Sequence, residues 1–206
     1  MEHIGVIDYG MGNLRSVSKA IEHLGRTVYV GSNARKLSRV RKLILPGVGA
    51  FGDAIRELKK LKLISLLREA VERGIPLLGI CLGLQLFFER SEESPHVQGL
   101  GIWRGSVVRL KPSSQATYKV PHMGWNQVNL KQRSWMVSNV KDKSHFYFVH
   151  SYYARPKDRN LIVGVADYGI QIPAILASAT VCAVQFHPEK SQHAGLQILK
   201  NFIHRP

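Results

Sequence analysis

Short apolar runs alternate with segments of helical period through the first half of the chain. Ile4-Gly5-Val6-Ile7 reads as a buried strand and is followed by a polar glycine loop, Asp8-Tyr9-Gly10-Met11-Gly12-Asn13. Leu14, Val17, Ile21 and Leu24 then recur at helical spacing, with Asn13 placed to cap the helix and Gly25 to stop it. Thr27 to Val30 and Lys42 to Leu45 read as two further strands, the second ending in Pro46-Gly47-Val48-Gly49. One long helix is predicted from about Asp53 to Arg73, carrying Ile55, Leu58, Leu66 and Val71 and closed by Gly74. A fourth strand, Leu77 to Ile80, runs directly into a helical segment that offers Leu82, Leu86 and Phe87 to one face. This alternation predicts an α/β fold, an open and mostly parallel sheet with helices on both faces.

Beyond Glu89 the period changes. Short runs at Ser106–Leu110, Trp125–Leu130, Tyr147–Tyr153, Ile162–Ala166, Ala174–Ala177 and Val181–Phe186 predict an antiparallel β layer in the C-terminal half. A final helix, about Gln192 to Ile203, turns Leu196, Leu199 and Phe202 inward. No repeat or low-complexity linker interrupts the 206 residues, so 1–206 reads as a single domain with room for a substantial core.

Composition narrows the function classes. The net charge of +15 is concentrated at Arg35, Lys36, Arg39, Arg41 and Lys42 and at Lys59, Lys60 and Lys62. Without a nucleic-acid-binding module beside it, that charge fits a solvated surface, or one facing an acidic protein, better than nucleic acid. The stretch Tyr168 to Phe186 is uncharged, but Gly169, Gln171, Pro173, Ser178 and Thr180 divide it into strands, so no membrane segment is expected. Two cysteines make no disulfide framework, and Met1-Glu2-His3-Ile4 resembles no signal peptide, which together point to a reducing cytoplasm. The histidines are scattered without ligand spacing, so neither a metal nor a cofactor is expected.

The candidate chemistry centres on Cys81. It stands between strand and helix with Gly79 and Gly83 two residues to either side, the arrangement of a nucleophile elbow with sulfur in place of oxygen. A sulfur at the amino end of a helix is favoured as thiolate. A plain buried cysteine is the competing reading, and the two glycines weigh against it. A base is supplied by His187-Pro188-Glu189 at the end of the run Val181–Phe186, where Glu189 can orient the imidazole. Cys182, with apolar neighbours, reads as core. The Leu82 backbone N–H and the Pro46–Gly49 turn are candidate oxyanion donors. Gly10-Met11-Gly12 lacks the spacing of a phosphate-binding loop and reads as a turn. These features specify acyl transfer by a thiolate, with hydrolysis of an amide or ester as the expected reaction.

Gly79-Ile80-Cys81-Leu82-Gly83-Leu84-Gln85 together with His187-Pro188-Glu189 resembles the class I, triad-type glutamine amidotransferases. The likeness extends over the chain through Asp8–Leu14, Leu45–Phe51, Pro121–Asn126 and Tyr147–Tyr152. It implies glutamine hydrolysis through a γ-glutamyl thioester on Cys81, with His187 as acid and base and Glu189 orienting it. Glutamine would be held by Gln85 and by backbone of Gly47-Val48-Gly49 and His150-Ser151-Tyr152. The Val48 amide, with Gly49 beside it and Leu82 opposite, would form the oxyanion hole. The Pro121-His122-Met123-Gly124-Trp125-Asn126 block is similar to the branch that passes ammonia to a separate cyclase subunit in histidine biosynthesis. Asn13, Trp125 and Lys190 match positions at or near that interface, although a helix cap, a core aromatic and a solvated lysine are equally simple readings. Two features depart from the pattern. Ile102-Trp103-Arg104-Gly105 is bulkier and more basic, either altering the partner-facing edge or sitting in solvent, and the +15 charge suggests an acidic cyclase. Another triad amidotransferase, a silent binding module on the same fold and a cysteine peptidase relative are the competing readings.

Overall fold

The computed structural model describes residues 4–111 and 118–205. The first half comprises β1 (Ile4–Ile7), α1 (Leu14–His23), β2 (Val28–Gly31), α2 (Ala34–Leu37) and β3 (Lys42–Gly47), then α3 (Phe51–Lys60), α4 (Leu63–Glu72), β4 (Leu77–Cys81) and α5 (Leu82–Leu86). The second half adds β5 (Arg90–Ser91), β6 (Gly105–Arg109), β7 (His122–Leu130), β8 (Ser144–His150) and β9 (Tyr152–Pro156). It closes with β10 (Ile162–Asp167), β11 (Gln171–Ala177), β12 (Val181–Val184) and α6 (Gln192–His204).

Nine strands form one sheet in the order β2-β1-β3-β4-β12-β11-β10-β7-β8. The pairings from β2 to β12 are parallel, and those beyond β12 are antiparallel. Most of the predicted antiparallel strands therefore extend the parallel sheet edge to edge, whereas the run at Ser106–Leu110 does not. A separate three-stranded sheet, β5-β6-β9, stands apart from it. Along the central strands the apolar side chains alternate between two cores. Leu43, Leu45, Leu77, Val181 and Ala183 face α3 and α4, while Ile44, Leu78, Ile80, Cys182 and Val184 face α1 and α6. Burial on both faces explains why these strands read as continuous apolar runs.

Two expected elements divide. The single helix over 53–73 is two, α3 and α4, broken where Lys62 takes a left-handed backbone at φ 56°. The buried positions Phe51, Ala54, Ile55 and Leu58 resume at Leu63, Leu66, Leu67 and Ala70. An unbroken helix would turn Lys62, four residues after Leu58, into the core, and the break keeps it outside. The run Tyr147–Tyr153 is also two strands, with β8 in the large sheet and β9 in the small one. Ser151 is the crossover between them. The short helix α2 is an addition to the predicted elements.

Capping ties distant segments together. Asn13 caps α1 through Oδ1, which accepts the Ser16 N–H at 3.4 Å. Helix α3 begins at Ala50, which offers no capping side chain, and Glu93 and Ser94 take its free Phe51 and Gly52 N–H groups at 2.7 and 3.1 Å. At the opposite end of the sheet Lys42 donates to the carbonyls of Phe202 and Ile203 at 3.0 and 2.8 Å, and also to that of Arg205. One member of the basic cluster is thus the C-terminal cap of α6 rather than a free surface charge. Trp103 likewise belongs to the core, packed edge-on against Phe87 at 5.5 Å, which corrects the expectation of a solvent or partner-facing side chain there.

The turn from β4 into α5 depends on close backbone approach. A Cβ on Gly83 would strike the Leu45 carbonyl, and one on Gly79 would lie 2.8 Å from the Gly83 backbone. Gly83→Ala is therefore expected to destabilise the protein by about 1–3 kcal/mol through overpacking, read as a lowered urea midpoint at unchanged slope.

Candidate active site

Cys81 ends β4 and begins α5 with φ 55° and ψ −106°. A cysteine gains nothing locally from that conformation, and its occurrence at a candidate nucleophile marks strain retained for function. Parallel pairing sets Gly47 of β3 opposite Cys81, and Val184 of β12 opposite Ile80. The chain leaving β12 then delivers His187 to the same end of the sheet, where open α/β folds place their ligands.

His187 is fixed along its backbone before its ring is considered. Its N–H donates to the Tyr147 carbonyl at 2.9 Å, while its carbonyl accepts the Ser191 hydroxyl at 2.6 Å. The ring bonds Glu189 Oε1 through Nδ1 at 2.9 Å, with both side chains almost wholly buried. Nε2 has no regular hydrogen-bond partner among the described residues and lies toward Cys81. Burial alone lowers the pKa of this imidazole, but the nearby Cys81, the bond to Glu189 and the charges of both raise it to about 10. His187 is therefore an imidazolium at neutral pH, held between sulfur and carboxylate.

A cavity of about 390 Å³ opens over the sulfur, lined by Val48, Gly49, Cys81, Leu82, Gln85 and Glu93 on one side and by Pro121, Val149, His150, Ser151 and Tyr152 on the other. It is of a size that suits a small metabolite. The expected oxyanion residues Val48, Gly49 and Leu82 and the expected substrate contacts Gln85, His150, Ser151 and Tyr152 all meet here. Gly47 lies one layer behind the lining, where a Cβ would strike the Tyr9 hydroxyl. Gly49 has φ +99°, a conformation in which glycine alone is unstrained.

The Gln85 side chain is engaged within the protein: its Nε2 donates to the Tyr152 carbonyl at 2.9 Å and to Gln185 Oε1 at 3.3 Å. His150 donates through Nδ1 to the same Tyr152 carbonyl at 2.9 Å. Its Nε2 accepts from His122 Nδ1 at 2.9 Å, and His122 Nε2 accepts from Asn126 Nδ2 at 3.2 Å. Burial lowers His122 to about 4; burial and the neighbouring His122 lower His150 to about 3. These two rings are neutral relays, unlike His187. Glu93, Gln185 and His122 were not assigned to the site from the sequence, although His122 stands in the Pro121–Asn126 block. Gln185 carried a signal of its own, as an amide in the otherwise apolar run Val181–Phe186.

Two of the expected partner-facing residues, Trp125 and Lys190, meet at Tyr147, outside the lining of this cavity. Trp125 is 48% exposed and meets Tyr147 edge-on, with ring centroids 6.0 Å apart, while Lys190 places its ammonium 5.7 Å from the Tyr147 ring. Asn13 is accounted for by its cap. Cys182 is fully buried, its thiol donating to the Leu77 carbonyl at 3.7 Å, and burial raises its pKa well above the ordinary thiol value. Among the described residues no group of acidic, histidine and cysteine side chains is arranged to hold a metal, and no helix is long and apolar enough to cross a membrane.

An elbow cysteine, a buried His–Glu pair and a glycine-rich turn facing them on a doubly wound sheet define a thiol-dependent amidotransferase. The sequence profile described as "Glutamine amidotransferase class-I" matches residues 5–205. The imidazole glycerol phosphate synthase subunit HisH of Geobacillus thermodenitrificans is 47% identical over 205 residues, covering 98% of this chain and 96% of the relative. The same subunit from Aquifex aeolicus is 48% identical over 198 residues, covering 96% and 94%. Solved structures share the fold at lower identity. A glutamine amidotransferase crystal structure superposes with TM-score 0.76 at 19% identity over 97% of this chain and 98% of that one. The PurLQS structure from Thermotoga maritima gives 0.73 at 20% over 98% of each. The chain belongs to the class I glutamine amidotransferases and, among them, to the family of HisH subunits of imidazole glycerol phosphate synthase. It is a glutaminase of histidine biosynthesis.

The raised His187 pKa has a signed consequence. Against an ordinary value of 6.5, the folded protein binds this proton more tightly, so the stabilisation is complete below about pH 6.5 and is lost as pH rises through about 10. Imidazole NMR should show His187 protonated to about pH 10, and the urea midpoint should decline across that window. In Glu189→Gln both the titration and the decline should move to lower pH.

Proposed function

We propose that Cys81 hydrolyses glutamine through a γ-glutamyl thioester, with His187 and Glu189 completing the triad. The thiolate attacks the side-chain amide carbon, and the oxyanion is received by the Leu82 N–H and by the Val48–Gly49 turn. Imidazolium His187 gives its proton to the departing ammonia as the C–N bond breaks. The neutral ring then takes a proton from water, whose oxygen attacks the thioester to release glutamate and regenerate the thiolate. The observation that carries this reading is the polarity of His187: Nδ1 is committed to Glu189 at 2.9 Å, while Nε2 lies toward Cys81 with no regular partner. Gly47, Gln85, His150, Ser151 and Tyr152 shape the glutamine cavity.

Ammonia passes to the cyclase subunit of imidazole glycerol phosphate synthase, bound as a heterodimer, which forms imidazole glycerol phosphate and AICAR. The exposed Trp125 and the Lys190–Tyr147 pair mark the rim that receives it, with Asn13 nearby on α1. In this reading the chain is one amidotransferase domain, works in the cytoplasm without a cofactor, and engages neither nucleic acid nor membrane. The net charge of +15 supports an acidic cyclase surface.

Glutamate release should be low for the chain alone and should rise strongly with a cyclase carrying its nucleotide ligand. Cys81→Ala should abolish it. Strong turnover unmoved by the cyclase would keep the triad chemistry and remove the partnership. Cyclase affinity should fall between low and physiological salt, and a salt-independent affinity would remove the electrostatic role.

A further inference from the structure

Gln185 follows directly on β12, fully buried, in the run Val181–Phe186 that is otherwise apolar. Its N–H donates to the Ala174 carbonyl at 2.9 Å, which fixes the backbone. It precedes His187 by two residues, the separation at which extended chain returns side chains to one face. A buried primary amide is retained only with its hydrogen bonds made, and the orientation of this one is determined by its neighbours.

The Tyr152 carbonyl can only accept, so Gln85 must present its Nε2 there, at 2.9 Å. The second hydrogen of that Nε2 meets Gln185 Oε1 at 3.3 Å. Gln185 Nε2 is thereby turned to the Cys81 sulfur, 3.8 Å away. An amide N–H donates and cannot accept, so it favours sulfur with a full lone-pair set. The proton of a neutral thiol has its own acceptor, the Val149 carbonyl at 3.9 Å. The far end of the network is equally constrained, because Asn126, His122 and His150 donate in sequence toward the Tyr152 carbonyl.

We propose that Gln185 is a catalytic residue, donating an N–H···S hydrogen bond to the Cys81 thiolate, and that Gln85 is the positioning residue that turns its amide. This rests on Cys81 being the nucleophile. The sulfur thus has two stabilising partners from one segment, the His187 imidazolium and a neutral donor that no proton transfer consumes. The titratable groups around it are His187 with Glu189 behind, Tyr9 from the end of β1, His150, and Glu93 in the lining of the same cavity. The Tyr9 phenol is held neutral by burial and by the nearby sulfur charge.

The test is the ionisation of Cys81 in Gln185→Met, which keeps the volume of the side chain and removes the donor. Thiolate absorbance near 240 nm, corrected with Cys81→Ala, should titrate at higher pH than in the wild type. The pH midpoint of Cys81 alkylation by iodoacetamide should move up by about one unit, a tenfold change in acidity and the scale of one hydrogen bond to a charged group. kcat for glutamine should fall while KM holds. Wild-type titration and alkylation in a folded Gln185→Met protein would overturn the role. If that variant does not fold, Gln85→Met decides. It leaves the Gln185 amide unoriented and should move the alkylation midpoint up by about half a unit, a threefold change in acidity, and an unchanged midpoint would overturn the proposal. Loss of glutamate release in Cys81→Ala beside an unchanged titration in Gln185→Met would keep the glutaminase reading and remove this inference alone.

Discussion

The parallel register of β3, β4 and β12 is the constraint on which the site depends. It aligns the glycine-rich turn after β3, the sulfur at the end of β4 and the histidine after β12 at one end of the sheet. None of these groups is near another in sequence. Their meeting is set by backbone hydrogen bonds that also hold the core, so the catalytic geometry inherits the stability of the most buried strands. The strain at Cys81 is tolerable for the same reason, since the pairing on both sides of β4 over-determines its path.

Electrostatics then separates histidines that sequence alone cannot tell apart. His187 and His150 are both buried at strand ends around one cavity, yet their pKa values move in opposite directions. A carboxylate and a sulfur bracket the first, whereas the second faces a carbonyl and another imidazole. The charged ring is the one suited to the proton transfers proposed for the site. The neutral rings His150 and His122 form a directed chain of donors that holds the cavity wall without adding charge to it.

The parts of this arrangement most legible in sequence were those with local causes. The elbow glycines, the cap at Asn13 and the buried parallel strands follow from steric and burial rules acting over a few residues. The helix break at Lys62 was less visible, because each half has a sound apolar period and only their phase differs. The division of Tyr147–Tyr153 depended on which sheet each half joins, a tertiary fact. Glu93 serves an N–H group forty-two residues away, and its role has no local signature. Trp103 looked like a surface departure until Phe87 and Phe88 closed around it.

The crossover at Ser151 gives the cavity wall a mechanical character. A single residue separates a strand of the nine-stranded sheet from a strand of the three-stranded one, and the flanking His150 and Tyr152 both border the cavity. The wall is therefore shared by two sheets, and the link between them is held at its midpoint, where the Ser151 carbonyl accepts the Leu110 N–H at 2.8 Å.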